Sequence, residues 1–202
     1  MGPMEIERRS MEIIRSELGR SLPEETESIV MRVIHATADF SFADSLRFTP
    51  GVVEEMRGLL GSGASVVTDT TMALAGISKG ALSRTGSRGL CFIGEEDVAR
   101  EAKARGVTRS FVAMERALAL PGPKLLVCGN APTFLLALLE RERPRETAVI
   151  GVPVGFVNVV EAKERLWESG LPCIVSMGRR GGSTVAAAIV NALLYGMEGV
   201  RA

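Results

Sequence analysis

Histidine and cysteine, the residues that most often bind transition metals, are scarce in this sequence. Its 202 residues include one histidine, His35, and three cysteines, Cys91, Cys128 and Cys173, with no CxxC pair and no Cys/His cluster. This pattern argues against a structural zinc site and against a disulfide framework. We therefore expect no metal centre, reduced cysteines in the protein core and a cytoplasmic location; an Asp-based magnesium site stays open.

Neither sign of charge is in excess, since 24 Lys and Arg residues balance 24 Asp and Glu residues. A balanced chain has no broad basic surface for nucleic acid, so any affinity for an anion must be local. The longest apolar stretch, residues 185–195, contains Asn191 and is shorter than the roughly 20 residues that cross a bilayer. We expect neither a nucleic-acid nor a membrane partner, and an aliphatic core because aromatic residues make up 4% of the chain.

Short apolar runs alternate with amphipathic segments from residue 63 onward, which is typical of buried parallel strands covered by helices. The predicted strands are residues 65–68, 90–93, 124–128, 147–152 and 172–177. The predicted helices are residues 95–105, 109–120, 133–141, 159–169 and 184–195. We therefore predict an α/β fold with a doubly wound, mainly parallel sheet and helices on both faces. The chain is expected to be one domain, 1–202, with a mainly helical N-terminal part, 1–62, and a βα-repeating core, 63–202.

Three helices are predicted before the repeating core, the third from about residue 50 to residue 60. The first covers residues 5–18 and ends at Gly19, a residue suited to a left-handed cap. Its apolar face comprises Ile6, Ile13, Ile14 and Leu18 and also includes Ser10. The second begins near residue 21 and brings His35 close to its C-terminal end. Its inward-facing residues are predicted to be Ile29, Val30, Val33 and Ile34.

In sheets of this class ligands bind at the carboxyl ends of the strands. Four loops follow the predicted strands there, at residues 69–72, 129–132, 153–156 and 178–183. Three of them contain glycine, which lets the backbone approach a ligand closely. Each leads into a helix N-terminus, where free N–H groups favour negative charge. These loops predict a site for an anionic small molecule.

Three arginines are candidates for binding that anion. Arg179 and Arg180 lie side by side in a glycine-rich turn and could bind carboxylates or phosphates, although a solvated surface turn explains them equally well. Arg109 begins a helix, which is an unfavourable place for a cation unless an anion lies nearby. The spacing of a phosphate-binding GxxxxGK[ST] loop is absent, and so is a GxGxxG dinucleotide motif.

Four other polar residues have both a functional and a structural interpretation. His35 could move a proton, since imidazole is the side chain whose ordinary change of charge falls near neutral pH, but a lone histidine at a helix end is more often structural. Asp69 could contact a ligand or, more commonly, cap a helix. Asn130 could donate a hydrogen bond to a ligand or stabilise a turn. Ser10 could bond to the carbonyl of Ile6.

The sequence resembles the precorrin-8X methylmutase family, which includes the cobalt-precorrin-8 methylmutases of cobalamin ring synthesis. The resemblance covers nearly the whole chain and keeps the motifs in order. They are RSMEIIR (9–15), RVIH (32–35), GASVVTD (63–69), TRS (108–110), GNAPT (129–133), GVPVGFV (151–157), EAK (161–163) and GRRGGS (178–183).

The resemblance implies an isomerase that moves a methyl group from C-11 to C-12 of the corrinoid ring, without a cofactor. It implies that His35 is the proton donor and acceptor and that Ser10 contacts the substrate. Arg109 and the loops around Asp69, Thr70 and Asn130 are then expected to line the pocket. The family is dimeric, so a homodimer with pockets at the subunit interface is expected.

One segment departs from the family pattern. Relatives often have a small residue, then Cys or Ser, then Gly after the histidine, whereas this chain has residues 36–39, ATAD. Two other functions remain open. A corrinoid carrier would bind the ring without turnover, and an unrelated α/β enzyme would use Arg179 and Arg180 to bind a phosphorylated metabolite.

Overall fold

The apolar segments after residue 63 form parallel strands of one six-stranded sheet in the structure, a computed structural model that describes residues 2–200. The strands are β1 (Leu46–Phe48), β2 (Ser65–Thr68), β3 (Arg88–Leu90), β4 (Lys124–Cys128), β5 (Thr147–Gly151) and β6 (Cys173–Ser176). Across the sheet they lie in the order β1-β6-β5-β4-β2-β3, and β1 runs antiparallel to its neighbour β6. The predicted α/β fold with a mainly parallel sheet is confirmed.

Helices cover both faces of the sheet, as predicted. They are α1 (Pro3–Leu18), α2 (Glu24–Thr37), α3 (Phe42–Ser45), α4 (Val52–Gly61), α5 (Thr71–Gly76), α6 (Lys79–Arg84), α7 (Glu96–Arg105), α8 (Arg109–Ala119), α9 (Pro132–Leu139), α10 (Val159–Glu168) and α11 (Ser183–Tyr195). The core on one face includes residues of α2, α4, α5, α6 and α11. The core on the other face is formed with α8, α9 and α10.

Strand β4 shows why the central strands are apolar without interruption. Successive side chains of a strand point to opposite faces. Leu125 and Val127 accordingly belong to the core on the α11 face, and Leu126 and Cys128 to the core on the α9 face; all four are fully buried. A strand covered on both sides has no position for a polar side chain to reach water.

Helix α2 packs against α11, which in turn packs on the sheet. The four residues of α2 predicted to face inward, Ile29, Val30, Val33 and Ile34, are all buried, as expected. His35 follows them in the last turn of the helix and is exposed. The packing of α2 therefore turns the histidine away from the core.

Only part of the apolar face of α1 is covered by the protein. Ile14 is buried against α2, but Ile6 and Ile13 are about half exposed, at 51% and 49%. Polar contacts complete the attachment, with Arg32 donating to Glu7 at 2.5 Å and Arg15 to Glu27 at 3.0 Å. The face is wider than the contact because α1 packs mainly along one neighbouring helix, α2.

One strand lies elsewhere than the sequence predicts, and several short elements have no counterpart among the predicted ones. Strand β3 was predicted at residues 90–93 but pairs with β2 through residues 88–90, and Phe92 packs beside α7 and α8 instead. β1 is a three-residue edge strand, and α3, α5 and α6 are short helices of four to six residues. Elements this short carry too few residues to show a hydrophobic period.

The buried carboxylate of Asp69 joins the ends of the two central strands. Asp69 directly follows β2, is 1% exposed, and accepts backbone N–H groups of the loop after β4. The donors are Gly129 at 2.9 Å, Asn130 at 2.7 Å and Ala131 at 2.7 Å. Strand β3 lies on one side of β2, and strands β4 to β6 follow on its other side. Ligands of such sheets usually bind where the strand order reverses, which here is between β2 and β4. Here the crevice is filled by the protein's own carboxylate.

Within residues 2–200, none of the helices combines the length and the apolar character needed to cross a membrane.

Replacing Asp69 with asparagine should lower the free energy of unfolding by at least about 3 kcal/mol, because one acceptor oxygen becomes a donor that faces backbone N–H groups. Urea denaturation followed by circular dichroism measures this change. The control is Asp44→Asn, where the carboxylate is exposed and pairs with Arg20 at the surface, so that less than about 1 kcal/mol is expected. Equal losses in the two variants would contradict this role of Asp69.

Candidate active site

The four loops at the carboxyl edge of the sheet are bonded to one another. The N–H of Gly182 donates to the carbonyl of Val152 at 2.9 Å, and the N–H of Gly155 donates to that of Arg179 at 3.2 Å. Glycine is needed at two of these contacts. A Cβ on Gly181 would collide with the Val152 carbonyl, and one on Gly129 would lie 2.8 Å from the Cα of Ser183. The loops therefore form one fixed edge.

His35 opens onto a cleft of about 350 Å³ beside this edge. Helices α2, α5 and α11 form its walls, and its lining includes Arg32, Met72, Ser183 and Asn191. The imidazole is exposed, and neither a hydrogen bond nor an ion pair joins it to any other residue of the range 2–200. The side chain is therefore free to contact a molecule bound in the cleft.

Two hydroxyl groups connect the cleft to the strand ends. Thr70 and Ser183 form a hydrogen bond of 2.8 Å between their Oγ atoms. Thr70 also caps α5 by accepting the N–H of Ala73 at 3.1 Å. Ser183 is the first residue of α11, and the cap residue Gly182 offers no side chain to the first N–H groups of that helix. The start of α11 therefore presents partial positive charge beside the cleft.

The two adjacent arginines have different surroundings. Arg179 is exposed and lies over the ring of Phe156, with its guanidinium carbon 5.3 Å from the ring centre. Its guanidinium has no carboxylate partner among the residues described. Arg180 instead donates to Asp39 at 2.7 Å and also bonds to Ser41. Hydrogen bonds from Ser41 and the charge of Arg180 hold the pKa of Asp39 below its usual value.

The other predicted site residues lie at varying distances from the cleft. Asp69 is buried, while the Asn130 side chain is exposed on the neighbouring loop. Arg109 is exposed at the first position of α8, after the cap residue Thr108. Ser10 donates to the carbonyl of Ile6 at 2.9 Å, as its position predicted. Of the predicted site residues within 2–200, His35 lines this cleft, whereas the others do not: Ser10, Asp69, Thr70, Arg109, Asn130, Arg179 and Arg180.

Met72 and Asn191 line the cleft but are not among the site residues that the sequence predicts. Met72 is 70% exposed, which is unusual for a large apolar side chain. Asn191 accepts the N–H of Ser78 at 2.8 Å and donates to the carbonyl of Gly76 at 2.9 Å, so it joins α11 to the α5–α6 turn. Its signal in the sequence was the interruption of the longest apolar stretch.

Cysteine and acidic residues do not assemble into a metal site within residues 2–200, where no three His, Cys, Asp or Glu side chains are grouped closely enough. Cys128 and Cys173 are buried and Cys91 is half-buried, all as free thiols. Burial, and then the nearby charge of Asp69, raise the pKa of the Cys128 thiol well above its usual value. Burial raises the pKa of Cys173 to about 12.

Comparison with known proteins identifies the family. The family model described as precorrin-8X methylmutase matches residues 5–196. The cobalt-precorrin-8 methylmutase of Salmonella typhimurium is 44% identical over 200 residues, covering 96% of this chain and 95% of that protein. The precorrin-8X methylmutase of Pseudomonas aeruginosa is 39% identical over 194 residues, covering 93% of each.

A solved structure of the precorrin-8X methylmutase of Thermus thermophilus has the same fold, with a TM-score of 0.84 at 37% identity over 94% of this chain and 95% of that one. The relatives are named methylmutases, which are isomerases that move a methyl group within one molecule. On the evidence of these near full-length matches, the chain belongs to the precorrin-8X methylmutase family.

Proposed function

We propose that this chain moves the methyl group at C-11 of precorrin-8X, or of its cobalt form, to C-12, giving hydrogenobyrinate or cobyrinate. The observation that carries the proposal is the position of His35: in a chain of this family, its single histidine stands free on an open cleft at the carboxyl edge of the sheet. A methyl shift neither loses nor gains atoms, so it requires no nucleotide or electron carrier.

His35 acts as the acid in this proposal. A proton placed on the macrocycle redistributes its electrons and so assists migration of the methyl group, and the same imidazole takes the proton back. His35 stands in the last turn of α2, where the helix dipole places partial negative charge. The walls of the cleft hold the ring against the imidazole.

The carboxylates of the substrate are held by Arg179, by the start of α11 and by neighbouring polar side chains. The corrinoid ring carries several acetate and propionate groups. Arg179 is exposed without a carboxylate partner among residues 2–200, and the uncapped start of α11 adds backbone N–H donors. Asn130 and the hydroxyl groups of Thr70 and Ser183 offer neutral hydrogen bonds. Asp69 contributes by shaping the loops, and Arg180 by its bond to Asp39.

A homodimer completes the site in this proposal. The family resemblance assigns Ser10 and Arg109 to the pocket, and neither lines the His35 cleft of its own chain within residues 2–200. In this proposal a second copy supplies them. Apolar surface suited to an interface is exposed on α1, at Ile6 and Ile13, and beside Arg179, at Phe156 and Val157. Contact between copies would cover these side chains.

Replacing His35 with asparagine should lower turnover by about 10²–10⁴-fold, the usual contribution of a general acid, while affinity for the product is kept. Turnover is followed by the visible spectrum of the corrinoid, and binding by co-elution on a sizing column. The control is Thr37→Ser, two residues along the same helix end, which keeps the hydroxyl that bonds to Val33.

An active His35→Asn variant would contradict the assigned role. Product binding by the wild-type chain with no turnover of either precursor would instead favour a corrinoid carrier. Comparison of hydrogenobyrinate with cobyrinate, and of the two precursors, determines which form the enzyme uses.

Replacing Arg179 with alanine should weaken corrinoid binding by about 10- to 100-fold, because a hydrogen bond to a charged group is lost. The loss should shrink as salt is added, since the contact is exposed. Titration of the visible spectrum measures both effects. Arg100→Ala, which removes an exposed arginine of α7, should bind like the wild type. Tighter binding of a sugar phosphate than of either corrinoid would favour the phosphorylated-metabolite enzyme.

Sedimentation equilibrium at micromolar concentration should give twice the chain mass of 21.5 kDa. Ile13→Glu should shift the equilibrium towards monomer by placing a charge in the interface. Ser16→Glu, on the same helix, is the control for added charge. A monomeric wild-type protein would overturn the dimer, and an unaffected Ile13→Glu dimer would remove α1 from the interface.

A further inference from the structure

A buried lysine lies behind the loop that carries both arginines. Lys163 of α10 is fully buried, and its ammonium group donates to the carbonyl of Gly178 at 2.8 Å and to that of Arg180 at 2.7 Å. We call residues 178–182 the arginine loop. The ammonium therefore bonds to this loop on both sides of Arg179.

The position is unusual for a lysine, because a buried charge is costly unless it is paired. No carboxylate of residues 2–200 forms an ion pair with Lys163. Burial lowers the pKa of Lys163 to about 8, so the amine still carries its proton at neutral pH and can donate to both carbonyls. The fold thus keeps an uncompensated cation in the core, and its hydrogen-bonded partners are two carbonyls of one loop.

These bonds determine which way the arginine loop faces. The hydroxyl of Ser176 donates to the Arg180 carbonyl at 2.9 Å, and the N–H of Gly155 donates to the Arg179 carbonyl at 3.2 Å. Three successive carbonyls, of residues 178, 179 and 180, are therefore bonded to the protein. These bonds fix the backbone of the loop, and the Arg179 side chain is exposed over Phe156.

We propose that Lys163 is a positioning residue for corrinoid binding: its ammonium fixes the arginine loop so that Arg179 presents its guanidinium group to a carboxylate of the substrate. The inference rests on the proposed function. It assigns a role to Lys163, the lysine of the EAK motif, which belongs neither to the arginine loop nor to the lining of the cleft. Lys163 acts through Arg179 and does not itself touch the ring.

A double-mutant cycle on corrinoid affinity tests this role. The four proteins are the wild type, Lys163→Met, Arg179→Ala and the double variant, each titrated with hydrogenobyrinate and cobyrinate. Methionine keeps the unbranched apolar shape of the side chain, one atom shorter, and removes its donors. Lys163→Met should weaken binding by about tenfold in the wild-type background and by less than about twofold when Arg179 is already alanine. Equal losses in the two backgrounds would overturn the proposal.

A second measurement needs no ligand. Amide hydrogen exchange in the arginine loop should be faster in Lys163→Met than in the wild type and unchanged in the control Lys103→Met, an exposed lysine of α7. Lys163→Gln, which keeps an uncharged NH2 donor group on a shorter side chain, should lie between Lys163→Met and the wild type in both experiments. Unfolding of both Lys163 variants would assign the residue to the stability of the fold and overturn the proposal.

The outcomes separate the two proposals. Failure of the wild-type chain to bind either corrinoid removes the proposed function. Wild-type binding together with independent effects of Lys163 and Arg179 removes only the positioning role.

Discussion

The hydrogen bonds of the Asp69 carboxylate are the constraint on which the functional edge depends. A carboxylate that is 1% exposed remains acceptable in a protein interior only when its oxygens are bonded, and here three backbone N–H groups and the Cys128 thiol surround them. The loop after β4 is therefore held against the end of β2. The first turn of α11 rests on that loop at Gly129, where no side chain fits, and Ser183 reaches Thr70. These contacts fix the position of Ser183, which lines the cleft beside His35.

Two buried charges, one of each sign, organise the loops from within. Asp69 bonds to N–H groups and Lys163 bonds to carbonyls, so each holds backbone that has no regular secondary structure of its own. With these loops held from the inside, Arg179 and the start of α11 stay available to an anion at the surface. A chain with balanced total charge can in this way present a local positive site.

The segment after His35, residues 36–39, has a structural use here. Ala38 takes a left-handed conformation that ends α2, and Asp39 binds Arg180. The end of the helix that carries His35 is thereby connected to the loop that carries Arg179. The proposed proton donor and the proposed anion-binding group thus stand on elements that are bonded to each other.

Sequence by itself determined the fold class and the edge where the site lies. Continuous apolar runs such as 125–128 identify strands buried on both faces, and parallel strands bring their following loops to one edge. The sequence did not determine β1 or the register of β3, because strands of three residues show no period.

The tertiary structure alone decided which polar groups face inward and which stay free. Arg179 and Arg180 are equivalent in sequence, yet one meets Asp39 and the other meets an aromatic ring. Likewise, the helical pattern around Lys163 does not distinguish it from an exposed charge, yet the folded protein buries it. Burial and bonding partners depend on contacts between residues that are distant in the chain.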